Sequence, residues 1–351
     1  MKKCILLILS AMMAFGMAGC KSSESPKENA VVTPSESPSP EAAPANTEKS
    51  DNTQKESHYP VTITNYNYAK EEITQTFEKA PEKVLAVYQN SIETLLALGL
   101  EDRILACSGL DHAVKPEYEE AFSKVNYLTE FAPDRETVTM MQPDFILSWY
   151  SFFGEKRLGE VDYWHDNGIN TYISLNSGAV PERTLENEYK DILDLGEIFD
   201  VTDKAEAIVN EIKDEVSKVV EHASKAETKR TVMIIEFLSD TRVYGDNSLG
   251  GDMVKQLGAD LITVEGGTVG TEDIININPD VIFVVYMDRE NEDMSTYSAN
   301  LVLEDPALAS INAVINKEVH TIQLGEMYCS GVRTIDGITK FAKGIYPELY
   351  E

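Results

Sequence analysis

Two stretches of this chain, RETVTMMQPDFILSWY (135–150) and TEDIININPDVIFVVY (271–286), align at a constant offset of 136 residues. Glu136 falls on Glu272, Pro143 on Pro279, Asp144 on Asp280, Ile146 on Ile282 and Tyr150 on Tyr286. In each copy a helical stretch runs into Pro-Asp, and the residue before a proline avoids the helical region. A short apolar run then reads as a buried strand. One helix-to-strand step written twice predicts two similar lobes.

The neighbouring segments repeat the same grammar. KVLAVY (83–88) reads as a strand, and NSIETLLALGL as a helix with Ile92, Leu95 and Leu96 on one face and a stop at Gly99. RILACSG is a second strand; WHDNGINTYISL gives a helix end, a Gly and another strand. In the second half TVMIIEF, RVYG, DVIFVVY and VHTIQL read as strands. GGDMVKQLGADLI is a helix closed at Gly258, and GVRTIDGITKFAKGIY is a last helix, apolar at Ile335, Ile338, Phe341 and Ile345. Strands alternating with helices predict parallel sheets faced by helices. Between the halves, Thr184–Lys225 offers no strand. Ala205, Ile208, Ile212, Val216, Val219 and Ala223 form one stripe, which predicts a single long amphipathic helix. The fold expected is α/β: two Rossmann-like lobes with parallel sheets joined by one long helix, with a ligand cleft between them. The lobes are placed at 58–180 and 228–351, and the helical connector at 181–227.

The first residues read differently. Lys2 and Lys3 precede a short apolar run that ends Met17-Ala18-Gly19-Cys20. The run is too short to span a membrane and suits a signal peptide, 1–19. Its end resembles a bacterial lipobox, which implies cleavage before Cys20 and lipid on its thiol. Residues 20–57 are rich in Ser, Pro and Glu and lack aromatics, so they read as a disordered tether reaching roughly 30–35 Å. A lipid-anchored protein at the outer face of the cytoplasmic membrane is expected, and a monomer.

Composition narrows the function. A formal charge of -30 excludes nucleic-acid binding by phosphate neutralisation. Cys107 reads as a small buried residue, and Cys329 falls in a polar loop and is expected nearer the surface; no disulfide framework follows. The five histidines, His58, His112, His165, His222 and His320, show no paired ligand spacing, so no metal site is expected. There is no Gly-x-Ser-x-Gly, P-loop or zinc motif, and GDNSLGG (245–251) reads as a turn before a helix; an enzyme is not expected.

Spacing alone leaves two readings of Glu136 and Glu272. They can be plain helix starts, stabilised by the helix dipole, or they can act. YPVTITN, APEKVLAVYQNSIETLLALGL, RETVTMMQPDFIL, RVYGDNSLGGDMVKQLGADL, TEDIININPDVI and SGVRTIDGITKFAKGIYPE, in this order from about residue 59 to the end, resemble the substrate-binding lipoproteins of ABC importers for iron complexes and cobalamin. The resemblance implies that Glu136 and Glu272, one per lobe, dock on arginines of a permease dimer that carries ATPase subunits. Asp273 is an adjacent candidate in the second lobe.

Ligands of open α/β sheets sit beyond the carboxyl ends of the strands. Tyr88, Trp149, Tyr150, Arg242, Tyr244, Tyr286, Tyr328 and Arg333 fall there. Aromatic faces supply area, and the arginines supply planar forks for oxygen anions. The resemblance favours Arg333 in particular, since ferric-siderophore members often open the last helix with Gly-Pro-Arg; here it reads Gly331-Val332-Arg333. The expected cargo is a ferric siderophore, carried rather than used as a cofactor. Haem or cobalamin is the alternative cargo, and a surface adhesin the remoter alternative.

Overall fold

The computed structural model describes residues 58–289 and 292–351. The signal peptide, the tether and Cys20 lie outside the described residues.

The chain enters through an antiparallel hairpin, β1 (Val61–Tyr66) with β2 (Glu72–Phe77). The first lobe then builds a parallel sheet from β3 (Val84–Val87), β4 (Ile104–Ser108), β5 (Phe145–Ser148) and β6 (Asn170–Ile173), in the order β4-β3-β5-β6. Helices α1 (Gln89–Ala97), α2 (Glu119–Phe122), α3 (Arg135–Met141) and α4 (Val161–Asp166) lie between these strands in the chain. The hairpin covers the sheet edge with side chains. Asn65 exchanges hydrogen bonds with the main chain of Ile173 at 3.1 and 2.8 Å, and Gln75 with that of Thr171 at 2.7 and 2.9 Å. The open edge of β6 is thereby satisfied without a fifth strand.

The second lobe holds β7 (Thr231–Phe237), β8 (Thr241–Val243), β9 (Asp260–Leu261), β10 (Thr268–Val269), β11 (Val281–Tyr286) and β12 (Val319–Gln323). Its helices are α7 (Leu249–Gln256), α8 (Thr271–Ile277), α9 (Met294–Leu303), α10 (Asn312–Ile315) and α11 (Thr334–Ile345). β7, β11 and β12 are parallel, as expected, but β8 turns back antiparallel on β7 and β10 on β8. The short Leu238–Asp240 connection allows only a hairpin there.

The 136-residue repeat is the same joint in both lobes. α3 and α8 each end on a left-handed residue, Gln142 (φ 54°) and Asn278 (φ 51°). Asp144 then accepts hydrogen bonds from Glu82 N (2.9 Å) and Lys83 N (2.8 Å). Asp280 accepts one from Thr231 N (2.9 Å). Each Pro-Asp carboxylate therefore pins the entry of its lobe's first central strand beside the strand that it opens itself.

The connector is a helix pair, α5 (Leu185–Ile198) and α6 (Thr202–Ala223). α6 is the long helix that the stripe predicts, ~33 Å from end to end. Near its start Lys204 donates to Leu98 O of the first lobe (2.7 Å), and near its end His222 meets Glu348 of the second (2.7 Å). One apolar core runs beneath it without a break, from Val84 and Leu95 through Ile212 to Phe283 and Phe341.

α5 itself carries a buried carboxyl group with a proton to keep. Tyr172 has one hydroxyl proton but two carboxyl oxygens within reach, Asp191 Oδ1 (2.9 Å) and Asp194 Oδ2 (2.7 Å). Burial, with Glu188 adding its charge, holds the Asp191 carboxyl well above the usual range. A carboxyl whose folded pKa exceeds its unfolded value stabilises fully at acid pH and loses that contribution as pH rises through the folded pKa. Asp191→Asn keeps the proton-bearing geometry at every pH. It is expected to raise the melting temperature near neutral pH by a few degrees, about 1 kcal/mol, and to flatten the pH dependence. Superimposable pH–melting curves for variant and wild type would contradict this.

Candidate ligand cleft and docking faces

Four of the aromatic residues expected at the strand ends, Tyr88, Trp149, Tyr150 and Tyr328, do gather, beside a cation that the sequence did not single out. Tyr88 follows β3 and turns the chain into α1 with φ at 90°, a conformation a large side chain adopts only under constraint. Its ring centre lies 3.7 Å from that of Trp149, 5.6 Å from Phe152 and 6.2 Å from Phe131. Its hydroxyl donates to Asp111; burial and that carboxylate hold the phenol well above its usual pKa, so it stays protonated. Trp149 follows β5, donates to Asn90 Oδ1 (2.5 Å) and lies 5.6 Å from Tyr328 of the other lobe. Tyr150 stacks on Tyr68 at 4.9 Å, and the Lys70 ammonium stands 4.7 Å from its ring centre.

Arg183, just before α5, completes this wall. Its guanidinium lies 4.8 Å from the ring centre of Tyr328 and donates to the Tyr328 hydroxyl at 3.2 Å. Nε donates to Asn176 O (2.8 Å) and Nη1 to Asn247 O (3.4 Å). Gly178 turns beside it with φ at 114°, a conformation that side chains rarely adopt; a Cβ there would make only ordinary contact, 3.8 Å from Arg183 Nη2 and from the Tyr150 ring. Arg183 is half-buried, and its hydrogen-bond partners among the described residues are all neutral oxygens. A charge taken part-way out of water is ordinarily paired.

Arg333 is placed elsewhere than expected. It is 6% exposed and makes a two-pronged ion pair with Glu93, at 2.5 and 2.8 Å. It also donates to Ala113 O (2.8 Å) and Gln323 Oε1 (3.3 Å). Glu93 belongs to α1, so Arg333 bolts one lobe to the other. Around it Lys115 pairs with Asp336 (2.8 Å) and His112 with Asp288 (3.2 Å). Glu188 accepts from the N–H groups of Ser330 (3.2 Å) and Gly331 (2.6 Å). Gly331 is required here: its φ is 53°, and a Cβ would come within 2.5 Å of Thr94 Oγ1. Cys329 is buried in this seam at 2% exposure, not near the surface, because its loop is drawn in against α1.

Three more expected residues lie off the wall's centre. Tyr244 is buried and donates to Glu236 (2.7 Å). Arg242 is exposed beside it, 3.6 Å from Glu236. Tyr286, at the end of β11, faces a separate pocket with Phe237 and Met294.

Glu136 and Glu272 both stand second in their helices and are exposed. The carboxylates that cap these helices are their neighbours: Asp134 accepts from Thr137 N (2.8 Å), and Asp273 from Gly270 N (2.8 Å). Asp273 is thereby committed, while Glu136 and Glu272 have no hydrogen-bond or ion-pair partner among the described residues. Those residues also contain no group of three His, Cys, Asp or Glu side chains that could hold a metal ion.

Residues 84–323 match the periplasmic binding protein family. The chain belongs to that family. Over 316 residues it is 25% identical to an uncharacterised ABC transporter substrate-binding lipoprotein of Bacillus subtilis, covering 88% of this chain and 92% of that one. A periplasmic binding protein from Veillonella parvula superposes with a TM-score of 0.77 at 35% identity, over 83% of this chain and 93% of its own. The ABC-type Fe3+-hydroxamate transport system of Saccharomonospora viridis shares the fold, with a TM-score of 0.64 at 20% identity over 82% of this chain and 100% of that chain. A periplasmic binding protein of this kind is the substrate-binding protein of an ABC transporter; it binds its solute and catalyses nothing.

Proposed function

We propose that this chain is the lipid-anchored, extracytoplasmic binding protein of an ABC importer, that its cargo is an anionic ferric siderophore, and that Glu136 and Glu272 dock the loaded protein on the permease. The observation that carries the cargo reading is Arg183. A half-buried guanidinium with only neutral partners lacks a counter-charge that a ligand can bring. The faces of Tyr88, Trp149, Tyr150 and Tyr328 suit the apolar parts of a large chelate. Such a chelate brings its own oxygens to the iron, so the protein carries the metal without ligating it and needs no cofactor. The lipid anchor rests on Cys20 and the small residues before it.

Tryptophan fluorescence tests the cargo. Trp164 is fully buried and donates to Leu158 O (2.9 Å), which leaves Trp149 as the reporter in the cleft. Titration with ferric catecholates, ferric hydroxamates, ferric citrate, haem and cobalamin is expected to give saturable quenching by one anionic ferric class. Arg183→Gln is expected to weaken that binding by about tenfold to a hundredfold, the loss of one or two charge-assisted hydrogen bonds. Quenching by haem or cobalamin alone would replace the siderophore reading, and unchanged affinity in Arg183→Gln would remove the anion contact.

A further inference from the structure

The second lobe carries a pocket that the aromatic wall does not use. It has a volume of about 390 Å³ and opens between the carboxyl ends of β7 and β11 and the side of α9. Its lining sets the apolar Phe237, Leu238, Tyr286, Met287, Met294 and Tyr297 beside the charged Glu236 and Arg289. Three of these are large side chains left in water, Leu238 at 53%, Met287 at 40% and Tyr297 at 57% exposure. In a soluble protein this acidic, apolar side chains of that size gathered round one concavity mark a binding surface. The volume lies within the range of small-molecule sites.

The pocket is separate from the aromatic wall but borders residues of the inter-lobe region on two sides. Glu236, on its wall, accepts the hydroxyl of Tyr244 (2.7 Å) and stands 3.6 Å from Arg242. Met287 adjoins Asp288, which meets His112 of the first lobe at 3.2 Å and accepts from Gln323 at 2.8 Å. The pocket therefore lies in the second lobe near the seam, at the strand ends where α/β sheets receive ligands.

Resting on the cargo reading above, we infer that this pocket receives an apolar arm of the same ligand. The cargo is amphiphilic: an anionic chelating head beside Arg183 and Tyr328, and an acyl or aryl substituent laid between Tyr286, Met287 and Tyr297. Methionine suits this task because its unbranched, polarizable side chain conforms to flexible chains. The aromatic wall and Arg183 recognise the head; the pocket grades cargoes by their arm.

Calorimetry with two ferric citrate–hydroxamate chelates, identical except for a linear acyl chain of about ten carbons, tests this below the micellar concentration. The acylated chelate is expected to bind wild-type protein at least about tenfold more tightly than its partner. Met287→Ser with Tyr297→Ser, at exposed positions that the fold does not need, is expected to erase that advantage and leave the short chelate's affinity unchanged. Equal affinity of both chelates for wild type would overturn the inference and leave the cargo reading standing. So would an advantage that survives in the variant, or a variant that binds both normally but fails in uptake, which would assign the patch to the permease. Binding of neither chelate, with quenching by haem or cobalamin instead, would overturn the cargo reading and this inference together.

Discussion

Uptake of a ferric siderophore by cells whose only copy of this protein carries Glu136→Ala with Glu272→Ala is expected to fall to background, while the purified variant binds its cargo as tightly as wild type. Both carboxylates are exposed, stand at equivalent positions in the two lobes and have no partner among the described residues. Their folding role is small, because a carboxylate in a first helical turn contributes only about 0.3–1 kcal/mol. The adjacent caps provide the control. Asp134→Ala and Asp273→Ala remove hydrogen bonds to the main chain and are expected to cost about 1 kcal/mol of stability each, with uptake largely kept. Transport at the wild-type rate by the double variant would return Glu136 and Glu272 to the plainer role of helix starts.

Arg333→Ala is expected to destabilise the protein by about 3–5 kcal/mol, because it strands the Glu93 carboxylate at 0% exposure without its counter-charge. For a body of this size that lowers the melting temperature on the order of 10 °C. Replacing both partners, Arg333→Met with Glu93→Leu, is expected to recover most of the loss, because no buried charge is then left alone. The decisive contrast is with Arg183→Gln, which is expected to lose affinity and keep stability. If Arg333→Ala instead melts like wild type and fails to bind cargo, Arg333 faces the ligand after all and the inter-lobe bolt is not needed.

These two arginines show where reading along the chain stops. Arg333 opens the last helix in a pattern that resembles a ligand-facing arginine, yet its partner Glu93 lies 240 residues earlier and takes the guanidinium first. Arg183 sits in an unremarkable polar loop, and nothing in PERTLE signals that its side chain crosses to Tyr328, 145 residues away. The hairpin β1–β2 is similar. VTITNY and EITQTF alternate as strands should, but their task of satisfying the edge of β6 through Asn65 and Gln75 depends on where that edge lies.

The sequence by itself determined the two α/β lobes, the long connecting helix and the equivalence of Glu136 with Glu272. Each follows from local periodicity, from the stop that Pro-Asp imposes on a helix, and from a constant offset, all of which act over a few neighbouring residues. Only the tertiary structure decided which cations keep free charge at the cleft, which are consumed in joining the lobes, and that one apolar core runs beneath both. Those outcomes depend on which groups lose water together, and desolvation is a property of the packed chain, not of any segment of it.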